Sequence, residues 1–287
     1  MVNNTRQNAY TPQDLEQLHV VLTDILQEIC RVCELLGIQC FTLGGTAIGA
    51  YYFNGFVKWD DDIDLGMKRA DYDLFVKEAP GLIAKGFFVQ TLRTEPLTPF
   101  YFTKVRKDNT LFVQEPYKDL PIHHGIFVDI LPLDNVPDNP LIARIHRRMV
   151  CYFEGSFLRR QCKLAILEGQ QRLPERLSRR VASIRFALLK LVPKRFLHWR
   201  LHKACALFNG AKCHYVDVIK SSVDRIATES VNNPLPVQFE GIYLFAPKDL
   251  PAYLHYHYPD LKSPDMLESL WISHAPYKLS FDSDYHK

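Results

Sequence analysis

The chain contains 287 residues, of which 47% are hydrophobic and 23% are charged, a balance typical of a globular protein that buries a sizeable core. Polar residues at its start lack the apolar run of a secretory signal, and its apolar segments are shorter than the roughly 20 residues of a membrane-spanning helix. Seven cysteines, with Cys30 and Cys33 lacking a second pair at zinc-ligand spacing, favour reduced thiols and a cytoplasmic protein.

The predicted elements of the first half alternate between helices and strands. Leucine, isoleucine and valine recur every three or four residues over 15–36, which predicts a helix that ends at Gly37. A strand over 38–43 then leads through Gly44 and Gly45 into a short helix over 46–53, and an acidic strand surrounds Asp62. A helix over 69–78 ends before Pro80, and strands follow over 87–93, 100–106, 111–114 and 126–131.

The second half begins with a helical and basic segment. The predicted divisions are a catalytic core over 1–140, a basic helical segment or insertion over 141–210, and a C-terminal part over 211–287 that packs on the core. That last part carries a predicted strand over 241–245 and a short helix over 248–257. The predicted fold class is α+β, a mixed sheet flanked by helices with a basic helical subdomain.

Positive charge is concentrated in the middle of the chain. Residues 144–203 contain 16 lysines and arginines against three acids, so the remaining residues carry about ten net negative charges to give the overall +3. Within this segment, apolar residues at helical spacing predict a basic amphipathic helix: Leu177, Val181, Ile184, Leu188 and Leu191. Three interpretations stay open, namely a solvated helical face, peripheral contact with an anionic membrane or lipid-linked acceptor, and non-specific nucleic-acid binding. No specific nucleic acid is expected.

The strongest chemical signal is the acidic run Trp59-Asp60-Asp61-Asp62-Ile63-Asp64-Leu65. In an extended strand, Asp60, Asp62 and Asp64 would point to one face, with Asp61 on the other. Carboxylates crowded on one face resist joint ionisation unless a cation neutralises them, and Mg²⁺ or Mn²⁺ prefers such oxygen ligands. A solvated loop or a calcium site is the alternative for the run taken alone.

Two further features support a catalytic interpretation of this run. Asp129 lies within an apolar strand pattern where an unpaired charge would be costly, so it is the predicted third metal ligand and a candidate general base. The strand that ends in Gly44-Gly45-Thr46 before a helix allows a phosphate to approach the backbone at a helix N-terminus. The predicted catalytic and metal-binding residues are therefore Asp62, Asp64 and Asp129.

At these residues the sequence resembles the LicD family of cytidine-diphosphate-dependent phosphotransferases, which includes fukutin-type proteins. The matching segments are 43–50, 54–67 and 69–75, then 125–134, and near the end Phe239-Glu240-Gly241 with Pro247, Tyr253-Leu254 and Tyr258-Pro259-Asp260. The resemblance implies a nucleotidyltransferase-like fold and a CDP-choline or CDP-alditol donor. It also implies transfer of phosphocholine or an alditol phosphate to a sugar hydroxyl of a cell-surface glycan, such as lipopolysaccharide, teichoic acid or capsule, with release of CMP.

On this interpretation the donor is held by residues around the acidic run. Gly44, Gly45 and Thr46 would contact its phosphates, Asp60 would support the metal site, and Lys104 or Arg106 would neutralise the diphosphate, although exposed strand cations are the alternative. Trp59 is a candidate for an aromatic cage around choline, or for core packing. Two other functions stay open: a nucleotidyltransferase that uses a nucleoside triphosphate, and a non-catalytic basic protein that binds nucleic acid or membrane.

Overall fold

A computed structural model describes residues 10–161, 184, 186–219, 225–261, 263 and 275–283. Its α-helices are α1 (Pro12–Leu36), α2 (Gly44–Phe53), α3 (Arg69–Leu82), α4 (Pro140–Gln161), α5 (Lys194–Cys205), α6 (Thr228–Asn232) and α7 (Leu250–His257). Its strands are β1 (Phe41–Thr42), β2 (Asp64–Lys68), β3 (Phe87–Gln90), β4 (Thr103–Lys107), β5 (Leu111–Val113), β6 (Phe127–Val136), β7 (Tyr215–Asp217), β8 (Ile226–Ala227), β9 (Leu235–Phe239), β10 (Ile242–Ala246) and β11 (Lys278–Ser280).

Within the described residues, a mixed sheet forms the centre of the protein. Its strand order is β3-β4-β6-β2-β1-β10-β9, and β7 adds to β6 and β8 to β7. The β2–β6 and β1–β10 pairs are parallel, whereas β1–β2, β3–β4, β4–β6 and β9–β10 are antiparallel. Strand β11 pairs separately with β5. The predicted fold class, a mixed sheet flanked by helices, is confirmed.

Different helices pack against the apolar side chains on the two faces of the sheet. One cluster packs α1 and α3 against residues such as Ile63, Leu65 and Ile130. The other packs α2 and α7 against Leu131 and Leu133. Side chains alternate along a strand, so Asp64 and Asp129 lie on the face of the sheet that α2 and α7 cover.

The first helix agrees with its sequence signals. Thr11 caps α1, accepting a hydrogen bond from Asp14 N at 3.1 Å while Asp14 Oδ2 accepts one from Thr11 N. The helix ends at Gly37, whose φ of 65° is in the left-handed region. The buried residues of α1 recur at the predicted spacing, which confirms the amphipathic pattern.

Two local expectations are wrong, and one strand was not predicted. The acidic strand begins only at Asp64, so the aspartates before it lie in a loop. Helix α3 continues through Pro80 to Leu82, because a proline so close to a helix end removes a single backbone hydrogen bond. The sequence did not predict strand β9, which contains Pro236. The proline is tolerated there because β9 is at the edge of the sheet formed by the described strands.

The two described basic helices, α4 and α5, pack against each other. Their contact buries Val150 and Phe157 of α4 and Leu197 and Leu201 of α5. Most of the predicted amphipathic helix around Leu177 and Val181 lies outside the described residues. In the part of the chain that the structure describes, no helix is both long enough and apolar enough to cross a lipid bilayer. The division of the chain into three units stays a prediction.

Because of two largely buried histidines on α5, we expect the free energy of unfolding to depend on pH. Burial, with a smaller effect of nearby positive charge, lowers the pKa of His198 to about 3 and that of His202 to about 4. The ordinary histidine pKa is about 6.5. As the pH falls below 6.5, these histidines bind protons in the unfolded chain but not in the folded protein, which favours unfolding. Their contribution is therefore fully present above pH 6.5 and is lost as the pH falls towards 4.

For each of these histidines, the expected loss of unfolding free energy at pH 5 is on the order of 2 kcal/mol. The decline in melting temperature between pH 7 and pH 5 should be clearly shallower for His198→Gln, because glutamine stays neutral. His255→Gln changes an exposed histidine and should decline as the parent does. Equal slopes in all three proteins would contradict the prediction.

Candidate active site

Asp64, Asp129 and Lys104 form a row across three neighbouring strands. Asp64 on β2 is directly beside Asp129 on β6, and Asp129 is directly beside Lys104 on β4. The backbone fixes this register, because Asp129 N donates to Ile63 O at 2.9 Å. The sequence prediction that Asp64 and Asp129 converge is therefore met at the level of the strands.

Lys104 is a buried cation rather than the exposed strand residue that was the alternative. Its Nζ donates to Asp129 Oδ1 at 2.5 Å and lies 3.5 to 5.2 Å from the ring centroids of Phe127, Phe100 and Phe102. Burial lowers the pKa of Lys104 to about 8, and this lowering is opposed by the charge of Asp129. The ammonium group thus partly neutralises Asp129 and is shielded from water by aromatic rings.

Arg106 is also buried, and its partners do not belong to the carboxylate row. Its guanidinium donates to Gln90 Oε1 at 2.7 Å and to Gly125 O at 2.6 Å. The exposed-cation alternative is therefore wrong for Arg106 as well. These bonds give Arg106 a structural role behind Lys104, whose own contact with a donor diphosphate stays a prediction.

The aspartates before β2 converge within the loop. The side-chain oxygens of Asp60, Asp61 and Asp62 lie within 4.8 Å of one another. The expectation that Asp61 points away from Asp60 and Asp62 is therefore wrong, because strand alternation does not apply before Asp64. Burial raises the pKa of Asp60 well above its ordinary value, and the charges of Asp62, Asp61 and Asp64 raise it further.

Helix α1 and Tyr10, which lies two residues before it, hold the buried part of this cluster. Tyr10 Oη donates to Asp61 Oδ2 at 2.8 Å, and His19 Nε2 contacts Asp60 O at 2.8 Å while its ring stacks on Phe56. Asp60 and Asp61 are buried, whereas Asp62 is half-buried. Of these three carboxylates, Asp62 is thus the best placed to contact a substrate. Asp64 on β2 is half-buried as well.

The N-terminus of α2 lies against Asp64. Thr46 Oγ1 accepts a hydrogen bond from Asp64 N at 2.9 Å, and Leu43 N donates to Asp64 O at 3.1 Å. Gly44 has a φ of 53°, and a Cβ built there would lie 3.4 Å from Asp64 Oδ2. A side chain at Gly44 would therefore be strained and would occupy the space in front of Asp64.

Tyr253 on α7 and Tyr258, directly after that helix, also reach this place. The sequence analysis named them in the family resemblance but did not assign them to the site. Tyr253 Oη accepts a hydrogen bond from Gly44 N at 3.1 Å, so that amide already has a partner. Tyr258 Oη lies 3.7 Å from the Cβ position built at Gly44. Tyr253 and Tyr258 follow Gly44 by more than 200 residues, and no local sequence signal indicates that contact.

Trp59 packs at the same end of the sheet, with the partly buried aromatic residues Tyr52, Phe102 and Tyr258 on the same apolar cluster. Its indole Nε1 is buried and has no hydrogen-bond partner among the described residues. A buried donor without a partner is unusual in a folded protein. Trp59 is thus both a packing residue and a donor that a bound molecule could satisfy.

These elements define a class of protein. A mixed sheet presents carboxylates from two parallel strands beside the N-terminus of a helix, with a buried cation behind them. This arrangement suits an enzyme that transfers phosphorus-containing groups, because carboxylates can hold a divalent cation and a helix N-terminus favours phosphate.

Comparison with known proteins finds a family within that class to which part of the chain is similar. Residues 37–144 match the LicD/FKTN/FKRP nucleotidyltransferase domain, a segment that contains every predicted site residue. The chain is also 26% identical over 243 residues to the lipopolysaccharide cholinephosphotransferase LicD of Haemophilus influenzae (strain ATCC 51907 / DSM 11121 / KW20 / Rd), covering 79% of this chain and 83% of that protein. The predicted resemblance to the LicD family is confirmed over residues 37–144, and both similarities support a LicD-type transferase.

Proposed function

We propose that the protein transfers phosphocholine, or an alditol phosphate, from a CDP-linked donor to a sugar hydroxyl of a cell-surface glycan and releases CMP. The observation that carries this proposal is the adjacency of Asp64 and Asp129 beside the N-terminus of α2, within a LicD-type domain. The acceptor would be lipopolysaccharide, teichoic acid or capsule, and the reaction would take place in the cytoplasm.

The carboxylates fit a divalent cation, for which Mg²⁺ or Mn²⁺ is proposed. Several aspartates share a small volume, and their mutual repulsion raises the pKa of buried Asp60 beyond the effect of burial, a conflict that a cation would remove. Asp62, Asp64 and Asp129 would hold the ion, with Asp60 behind them. Such an ion neutralises charge on a donor diphosphate and on the transferred phosphoryl group.

The reaction itself is a substitution at phosphorus. The acceptor hydroxyl oxygen forms a bond to the phosphorus that carries the headgroup, and the bond from that phosphorus to the oxygen of CMP breaks. Asp129 is proposed to receive the hydroxyl proton, because Lys104 occupies its Oδ1 and leaves Oδ2 to face the acceptor. Lys104 keeps Asp129 oriented for that step.

Donor binding is proposed to use the α2 N-terminus and Trp59. The backbone of Gly45 and the hydroxyl of Thr46 lie at a positive helix end that favours phosphate. The unpartnered Trp59 Nε1 would donate to a phosphate oxygen. Trp59, Phe102 and Tyr258 would place aromatic faces near a quaternary ammonium, which such faces attract.

The test is release of CMP from purified protein with candidate donors: CDP-choline, CDP-ribitol and CDP-glycerol, each with Mg²⁺ or Mn²⁺, with EDTA and with candidate glycans. We expect metal-dependent CMP release that a suitable glycan accelerates and that is greatest with one CDP-linked donor. Pyrophosphate release from a nucleoside triphosphate, without consumption of any CDP-linked donor, would instead indicate the alternative nucleotidyltransferase. No metal-dependent turnover of any of these donors would refute the proposal.

A further inference from the structure

The outer surfaces of α4 and α5 carry exposed aromatic and aliphatic side chains. Tyr152 is 61% exposed, Phe196 and Trp199 are each 50% exposed, and Leu191, which precedes α5, is 81% exposed. On α4, Leu141 and Ile145 are exposed as well. Single exposed apolar residues are ordinary, but contiguous ones mark interaction sites.

Ring contacts and helical spacing join the aromatic residues of both helices into one surface. The rings of Tyr152 and Phe153 on α4 lie 5.6 Å apart, and the Arg200 guanidinium of α5 lies 5.1 Å from the ring centroid of Phe153. Phe196 is one helical turn before Arg200, and its ring lies 5.9 Å from that of Trp199. We define the aromatic–basic surface as Tyr152, Phe153, Phe196, Trp199 and Arg200.

Positive charge surrounds this surface. Arg144 and Arg148 on α4 are exposed, as are Arg195 and Lys203 on α5. Helix α5 contains no acidic residue, and Glu154 is the sole acid of α4. The excess positive charge of these two helices therefore attracts an anionic partner.

We propose that the aromatic–basic surface binds an anionic lipid bilayer, with its aromatic and aliphatic side chains in the headgroup region. Phosphate groups of any kind would attract the arginines, but the exposed Leu191, Ile145 and Trp199 gain little from a nucleic-acid backbone and much from a lipid interface. Tryptophan and tyrosine prefer that interface because one part of each side chain is apolar and one part is polar.

The surface is linked to the active site through α5. His202 Nε2 contacts Tyr101 O at 3.2 Å, the rings of Tyr101 and Phe102 lie 5.4 Å apart, and Phe102 lies 5.2 Å from Lys104 Nζ. Binding of α4 and α5 to a bilayer would therefore fix the orientation of the carboxylate row relative to the membrane. The inference does not depend on the proposed reaction, because lipid binding can be measured without turnover.

The experiment measures sedimentation of the full chain with vesicles of equal parts phosphatidylglycerol and phosphatidylcholine, compared with vesicles of phosphatidylcholine alone. We expect binding to the anionic vesicles only, weakened by salt. Arg195→Gln, Arg200→Gln and Lys203→Gln together should weaken it roughly 100-fold, since each cation near the surface contributes roughly fivefold. Phe196→Ser with Trp199→Ser should also abolish most binding, while CMP release in the absence of lipid stays unchanged.

Tyr243→Ser is the matched control, because Tyr243 is 75% exposed on β10, away from α4 and α5, and it should bind as the parent does. Parent protein that ignores anionic vesicles, or variants that bind as tightly as the parent, would overturn the proposal. Tighter binding to a single-stranded RNA oligonucleotide that survives Phe196→Ser with Trp199→Ser would assign the surface to nucleic acid. A dimer that this double variant converts to a monomer would assign the surface to a second copy of the chain.

Discussion

Asp64→Asn should reduce transferase turnover by roughly 1,000-fold or more while the fold is retained. The substitution keeps the shape of the side chain and removes the charge that the proposed cation and the donor diphosphate require, and metal-assisted charge stabilisation in phosphoryl transfer amounts to several kcal/mol. The backbone of Asp64 is held independently by Thr46 Oγ1 and Leu43 N. Turnover is measured as CMP release, and folding by circular dichroism and melting temperature.

Asp61→Asn is the informative control for this prediction. Asp61 is two percent exposed and accepts a hydrogen bond from Tyr10 Oη, which an asparagine oxygen can also accept. We expect turnover within roughly tenfold of the parent, because Asp61 supports the loop and does not face the donor. Mn²⁺ affinity, measured by electron paramagnetic resonance, should fall for Asp64→Asn and change little for Asp61→Asn.

The opposite pattern would identify a different ligand set. The oxygens that lie within 4.8 Å of one another belong to Asp60, Asp61 and Asp62, so an ion could be shared by these residues instead. In that case Asp61→Asn would lose Mn²⁺ affinity and Asp64→Asn would keep it. The proposed set of Asp62, Asp64 and Asp129 would then be wrong.

The sequence predicts the strands and helices that build the site because their periodicity is local. The amphipathic repeat of α1, the glycines before α2 and the apolar pattern around Asp129 each depend on neighbouring residues. Asp64 and Asp129 could each be singled out because each lies next to apolar β-formers, whereas their pairing follows from the sheet, in which β2 is beside β6. The strand alternation failed for Asp60 and Asp61, because a turn that bonds Asp60 N to Val57 O comes before the strand begins.

Contacts between distant parts of the chain explain what the sequence did not predict. His19 on α1 and Tyr10 just before that helix contact the acidic loop, and Tyr253 on α7 contacts Gly44. The residues beside Lys104 in the sequence do not distinguish it from an exposed strand cation. It is buried because Asp129 and aromatic rings surround it. These pairings depend on the order of strands in the sheet, which residue spacing does not contain.

The ion pair between Arg69 and Asp134 leads to the largest predicted effect on stability. Asp134 is buried on β6 and accepts two hydrogen bonds from Arg69, from Nε at 2.8 Å and from Nη2 at 2.6 Å, and a third from Asn209 at 2.7 Å. Burial, which lowers the pKa of Arg69, is outweighed by Asp134, so that the pKa is raised overall. Arg69 therefore stays charged in the folded protein.

Asp134→Asn should lower the free energy of unfolding by about 3–5 kcal/mol, because it leaves a buried guanidinium without a compensating charge. Asp73→Asn provides a control on the same arginine. Asp73 pairs with Arg69 at 3.3 Å but its side chain is 61% exposed, and exposed pairs contribute about 0–1 kcal/mol. Both variants are measured by urea denaturation. If they lose equal stability, burial is not the source of the effect. Arg69→Met combined with Asp134→Leu should recover most of the loss of Asp134→Asn, since it removes both charges from the interior.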